Sequence, residues 1–451
     1  MKTVISRFIN QKQFSLKSQG SSMMPLLQPN DVIYYKKTTF VRCQPNDIIM
    51  VKKNHQLFTH RVIYKTKNYL ITKGDNNLTS DGKIYPHQII GKVYQVKRNG
   101  KIFNPESLYL LQSSLYFKEI IKIKTAFEML GINFVFLKGL PLHLYFERKP
   151  PQRIYFDCDV LIERKDFKKA ENILKKFGYK KAESALSSAQ KTLKDKEIEA
   201  SYYKIVNNFP VVFDLHFEVV FMMTQLGKLE AFYPQRLIDK LTEDFLREKQ
   251  RVIIQNSNFY FLSSVNLILY LALHFFHHNF QGAFRLELLD KIIRSVNKRH
   301  SERSEESSER SERKLRFTRS FDSSLRSSLR MTGWESLLQK IKKYHLQNFV
   351  YPVFVLLKKY YKTPLPKNFF HQIEPSNLQT LKLYNFKNLN IFDDEPRIKA
   401  GINRFKYLFF FSPNPLWKKA LVFLNPQVIY SVLWTLKRRL FSFLPNQKLL
   451  H

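Results

Sequence analysis

Cysteine is scarce in this chain: two in 451 residues, Cys43 and Cys158, in separate segments and without a metal-binding spacing. A thiolate metal site is therefore not expected, and a reducing, cytoplasmic compartment is. Residues Met1 to Gly20 are polar and hold no apolar run of signal-peptide or membrane-span length. Neither an export signal nor a transmembrane anchor is expected there. Glycine is also sparse, 12 residues against 40 Phe and 23 Tyr, and acidic residues number 37 against 75 Lys and Arg. The resulting formal charge of +38 suits a polyanionic partner, but an AT-rich genome produces the same composition. Charge alone thus does not require nucleic acid.

At this length the chain holds two or three domains. From Asp31 to about Lys97 short β-rich runs follow one another between turn residues: Val32–Tyr35, Ile48–Val51, His60–Tyr64, Tyr69–Thr72 and Ile89–Val96. This pattern predicts a small all-β domain over residues 1–104. An internal echo supports it, since Gln28-Pro29-Asn30-Asp31 and Gln44-Pro45-Asn46-Asp47 each launch an apolar strand ending in two lysines. Pro and Asn-Asp preset the turn in both copies.

Ahead of those strands sits Gly20-Ser21-Ser22-Met23-Met24-Pro25, which resembles the Ser-Met-x-Pro box of the signal peptidase I family. Asn46-Asp47-Ile48-Ile49, Thr59-His60-Arg61-Val62, Lys73-Gly74-Asp75-Asn76-Asn77 and Asp81 follow in the family's order, so the likeness covers roughly Gly20 to Val96. The resemblance implies a serine endopeptidase of the archaeal and endoplasmic-reticulum type, acting on a peptide or protein. Ser22 would be the nucleophile, His60 its base, and Asp81, with Asp75 as second candidate, the carboxylate orienting His60. Backbone N–H groups near Ser22 would hold the oxyanion. Such peptidases usually carry a membrane helix before the serine, and none is expected here, which speaks against cleavage of exported precursors at a membrane and leaves a cytoplasmic leader peptide or self-cleavage open. Taken singly, Ser22 reads better as a turn cap, His60 as an ordinary strand histidine and Asp75 as part of a Gly-Asp-Asn-Asn hairpin; it is their joint occurrence in order that favours the peptidase fold.

After Asn104-Pro105-Glu106 the apolar period changes from two to that of a helix. Leu108–Leu130 is an amphipathic helix closed by Gly131, Phe134–Leu137 a buried strand, and Lys138-Gly139-Leu140-Pro141 the start of another helix. Arg153–Ile162 is a strand whose alternation puts Asp157 and Asp159 on one face, with Cys158 and Val160 on the other. Two carboxylates so close in an apolar surround call for a cation. Asp166–Phe177 is a helix, and the strand Val211–Phe217 offers Asp214 as a third ligand. The expected class is α/β, or α+β, over residues 105–258, with a helical region over 259–451.

These residues resemble the uncharacterised nucleotidyltransferase family within the polymerase-β-like superfamily. The likeness rests on Leu137-Lys138-Gly139, Arg153, Asp157-Cys158-Asp159, Gly178-Tyr179 and Asp214-Leu215-His216. It implies a two-metal Mg²⁺ site on Asp157, Asp159 and Asp214, a nucleoside triphosphate as substrate, and Gly139 at the phosphate turn. Lys138 and Arg153 would offset phosphate charge. Lys138-Gly139 stands where that superfamily usually has Gly-Ser. On the residues alone, an Asp-x-Asp is as readily an exposed strand face.

His274 and His278 share one helical face, a spacing open to zinc but better explained by packing. Arg299–Thr332 is an Arg/Ser/Glu-rich stretch whose two halves read as the two strands of one DNA palindrome, hence a translated mobile repeat inserted between helices. Phe405–Leu444 is basic and aromatic but broken by Pro413, Pro415 and Pro426. It suits packing on the transferase region or peripheral contact with an anionic membrane, not a spanning helix.

The sequence therefore predicts a multidomain fusion: a peptidase-like all-β domain, then a nucleotidyltransferase core with helices. The competing possibility is that either fold is a non-catalytic peptide-binding or regulatory module.

Overall fold

In the computed structural model the described residues are 13–147, 151, 155, 157–182, 198–207, 209–219, 230–297, 333–375, 389–426 and 428–429. Arg153, the repeat-derived stretch 299–332 and, in the basic C-terminal segment, residues 427 and 430–444 lie outside them.

The first part is an antiparallel sheet. Strands β1 (Gln13–Lys17), β2 (Val32–Lys36), β3 (Ile48–Lys53), β4 (Gln56–Lys65), β5 (Leu70–Lys73), β6 (Lys83–Ile84) and β7 (Ile89–Arg98) lie in the order β1-β2-β7-β3-β4-β5-β6, with β8 (Lys101–Phe103) paired to β7. Strand β3 shows why it sits inside: Ile48 and Met50 join one core, while Ile49 and Val51 join another across the sheet. The two echoed turns have the same geometry. Asp31 and Asp47 each accept the backbone N–H three residues upstream, from Gln28 at 2.7 Å and Gln44 at 2.9 Å. Asn30 and Asn46 take φ of 73° and 76°, the left-handed conformation that Asn tolerates.

A helix over Pro105–Met129 links this sheet to the next. Pro105 occupies its first turn, Asn104 caps it by accepting from Ser107 N, and Gly131 follows with φ of 63°. The second sheet runs β11-β12-β13-β10-β9-β15-β14. Its strands are β9 (Phe134–Phe136), β10 (Asp157–Ile162), β11 (Lys180–Lys181), β12 (Glu199–Val206), β13 (Phe209–His216), β14 (Gln250–Ile254) and β15 (Ser257–Phe261). The predicted onset of helix at Phe259 is corrected here. Ser257–Phe261 pairs with β14 and, through Phe261, with β9, because the apolar Phe259 and Phe261 alternate into the core. Helices follow at Ser264–His277, 283–297, Gly333–Lys343, Gln347–Tyr361 and Arg397–Phe411. The pattern over Trp334–Tyr361 is therefore two helices, divided at Tyr344–Leu346.

Central strand β10 lies between parallel β13 and antiparallel β9, and Cys158, Val160, Leu161 and Ile162 are buried. No helix among the described residues is long and apolar enough to cross a membrane.

Candidate functional sites

The carboxylates on β10 and β13 meet because the two strands are parallel and in register. Asp159 stands opposite Asp214, and Asp157 opposite Val212. One ligand oxygen from each of Asp157, Asp159 and Asp214 lies within 4.8 Å of the others. An all-oxygen carboxylate set is the chemistry that hard divalent cations such as Mg²⁺ take. Asp214 Oδ1 is buried and has no hydrogen-bond partner among the described residues, which suits an oxygen that would coordinate a cation.

Each carboxylate has its own surroundings. Asp159 is buried, which favours the neutral acid, but the Lys138 ammonium and the His216 imidazole outweigh that and hold its pKa at about 2. Lys138 Nζ lies 3.0 Å from Asp159 and 3.2 Å from Asp157, while His216 Nε2 meets Asp159 Oδ1 at 3.0 Å. Asp214 goes the other way. Burial first, then the charge of Asp159, raises it to about 6 despite a hydrogen bond from Ser201. Two neighbouring acids are thus driven apart, one kept ionised and one whose proton a bound cation would displace to solvent.

Strand β9 delivers Lys138 and Gly139 to this point. Gly139 has φ of 94°, and a Cβ there would meet the Asp157 carbonyl oxygen at 2.9 Å, so the Leu140–Glu147 helix can start against β10 only with glycine. His274 and His278 do share a face, with Nε2 atoms 3.2 Å apart. Burial and the nearby cations, Lys138 and Arg285 among them, depress both well below the usual histidine range, as befits a neutral hydrogen-bonded pair. The three aspartates are the metal-capable cluster among the described residues, and these histidines are not part of it. A cavity of about 660 Å³ opens at the other end of β10, around Ile162, Glu163 and Arg164.

A second constellation lies in the first sheet. His60, buried on β4, meets Ser22 Oγ through Nε2 at 2.9 Å and Asp81 Oδ2 through Nδ1 at 2.8 Å. Thr72 Oγ1 donates to the same Asp81 oxygen at 2.7 Å. Asp75, the other carboxylate considered, points elsewhere. It holds Arg61 in a two-pronged ion pair at 2.7 and 2.6 Å, because Arg61 follows His60 and faces away from it. The Gly74–Asn76 turn closes over Ser22: Asn76 N donates to the Ser22 carbonyl at 2.8 Å, and a Cβ on Gly74 would meet that oxygen at 2.7 Å.

Sequence reasoning had not assigned roles to His216, Ser201 or Thr72. His216 was legible, since strand alternation puts it on the face of Asp214. Ser201 and Thr72 reach their carboxylates through strand pairing, which no local pattern announces.

A family model described as "Uncharacterised nucleotidyltransferase" matches residues 106–362, more than half of the chain. No curated protein matches.

Proposed function

The chain belongs to the uncharacterised nucleotidyltransferase family, and on that premise we propose that it transfers a nucleoside monophosphate from a triphosphate to an acceptor, using Mg²⁺ held by Asp157, Asp159 and Asp214. The observation that carries this reading is the convergence of three carboxylates on a buried Asp214 oxygen without a hydrogen-bond partner. Bound Mg²⁺ supplies charge neutralisation of the polyphosphate and activation of the attacking group. His216 fixes the orientation of Asp159 from behind, as outer partners of metal-binding carboxylates do. Lys138, already between Asp157 and Asp159, can pass from carboxylate to phosphate, and Gly139 beside it would be the phosphate turn. Arg153 is proposed as a further phosphate contact on the family likeness alone. In the reaction the acceptor nucleophile forms a bond to the α-phosphorus, the α–β bridging P–O bond breaks, and pyrophosphate leaves.

The reading is checked by incubating the purified protein with α-labelled nucleoside triphosphates and Mg²⁺ beside an Asp157→Asn/Asp159→Asn variant. Label transferred or pyrophosphate released by wild type only supports it; equal signal from both sinks the assignment.

For the first sheet we propose a peptidase-like fold with Ser22 as nucleophile, His60 as general base and Asp81 as the carboxylate that orients it. The Ser22–His60–Asp81 distances support this. His60 takes the Ser22 proton as Oγ attacks a peptide carbonyl, then gives it to the leaving amine; water hydrolyses the acyl-serine. Residues 1–104 are accordingly read as a peptidase-like unit and 105–258 as the transferase core, whose sheet takes in Ser257–Phe261 before the helical region that runs to 451. Trimming and nucleotide addition on one peptide product would give the fusion a purpose.

A further inference from the structure

The strip 389–395 is tied both to the helical region and to the first sheet. On one side Gly282 N donates to Ile391 O at 3.0 Å, and Tyr360 OH donates to Leu389 O at 2.8 Å. On the other side it grips the loop between β5 and β6, which carries Asp81. Asp393 Oδ1 accepts both the backbone N–H and the hydroxyl of Ser80, each at 2.7 Å. Asp394 N donates to Leu78 O at 2.7 Å, and Asp394 pairs with Lys73 at 2.5 Å. Ser80 immediately precedes Asp81, and Lys73 immediately follows Thr72, so both groups that place the Asp81 carboxylate are next to residues held from outside the first sheet.

We propose that Asp393 is a positioning residue for the Ser22–His60–Asp81 group, so that the helical region attached to the transferase core completes the peptidase-like site. This rests on reading those three residues as a nucleophilic triad. Physically, one carboxylate oxygen fixes two donors of a single residue, which sets both the position and the backbone orientation of Ser80. Asp81 itself is tied to β5 by its N–H on the Thr72 carbonyl at 2.8 Å and to β3 by Lys53 on its own carbonyl at 2.5 Å, whereas the turn before it is exposed, with Leu78 at 56%. Freed at Ser80, Asp81 keeps its bonds with Thr72 and Lys53, but the backbone that enters it from Ser80 is no longer fixed, and with it the aim of its carboxylate at His60 Nδ1. The angle of His60 Nε2 toward Ser22 then loosens as well.

The test uses the full-length chain and a fluorescent β-lactam. Ser22 Oγ forms the ester with the lactam carbonyl, the ring C–N bond opens, and the serine proton passes through His60 to the ring nitrogen. Asp393→Ala is expected to lower the saturating labelling rate about tenfold while leaving the half-saturating probe concentration unchanged, as misplacement of a catalytic group does. Asp393→Asn, which keeps an acceptor oxygen for both Ser80 donors, is expected to stay within about twofold of wild type, a loss smaller than one hydrogen bond is worth. Thermal melts of both variants show whether the fold is intact. Wild-type labelling in Asp393→Ala, or a loss in Asp393→Asn as large as in Asp393→Ala, overturns the proposal. Labelling that persists in Ser22→Ala, or none in wild type, instead removes the triad reading and the proposal with it.

Discussion

Asp159 and Asp214 face each other across two parallel strands in direct register, and their surroundings drive their acidities in opposite directions. Without a bound cation that arrangement costs stability, because Lys138 pairs with Asp157 and Asp159 and His216 with Asp159, while Asp214 has no ion pair among the described residues.

The first prediction concerns pH. The folded-state pKa of Asp214, about 6, lies above its ordinary 3.8. A carboxyl raised in this way favours the fold when protonated, so that stability is full below about pH 4 and is lost as pH rises through 6. Asp214→Asn removes the penalty. Urea melts of metal-free protein should find the variant more stable than wild type by about 1–3 kcal/mol at pH 8, the gap closing toward pH 4. Added Mg²⁺ should stabilise wild type and leave the variant unmoved.

His216 acts with the opposite sign. Burial opposes its charge, but the bond to Asp159 more than offsets this and raises its pKa. Its stabilisation is therefore full below the ordinary histidine range and fades as pH rises through the raised value. His216→Ala should destabilise the metal-free protein by about 3–5 kcal/mol at pH 6, the usual loss when a buried ion pair loses one partner. Denaturant melts at pH 9 should show a smaller difference.

Lys138 competes with a cation for Asp157 and Asp159. Replacing it by Met should tighten Mn²⁺ binding about tenfold, a modest electrostatic gain near 1.4 kcal/mol, while lowering nucleotide turnover. Calorimetry and the labelled-nucleotide assay report the two effects separately.

In the first sheet, Asp81→Ala should cut lactam labelling of Ser22 by about a hundredfold or more, because an unoriented imidazole holds the wrong tautomer. Asp75→Ala should instead act on stability, by about 1–3 kcal/mol, since it strips the half-buried Arg61 of a two-pronged partner. Equal labelling losses in the two variants would contradict the division of roles.

Much of this was legible from residue order. Alternation on β10 put Asp157 and Asp159 on one face, and the repeated Gln-Pro-Asn-Asp turns marked where β2 and β3 begin. Sequence left Asp75 and Asp81 both open, because the choice depends on which way a turn points. Arg61 decides it by binding Asp75. Phe259 looked like the start of a helical region since its surroundings are apolar, yet β14 and β9 recruit it as sheet. The grip of Asp393 on Ser80 joins residues more than three hundred positions apart, and no local pattern encodes that.

The central claim is that Asp157, Asp159 and Asp214 form a divalent-cation site, and paramagnetic Mn²⁺ tests it without knowledge of the acceptor. Titration followed by electron paramagnetic resonance should show saturable binding to wild type that is lost in Asp159→Asn/Asp214→Asn at pH 8. Equal binding by wild type and variant would contradict it.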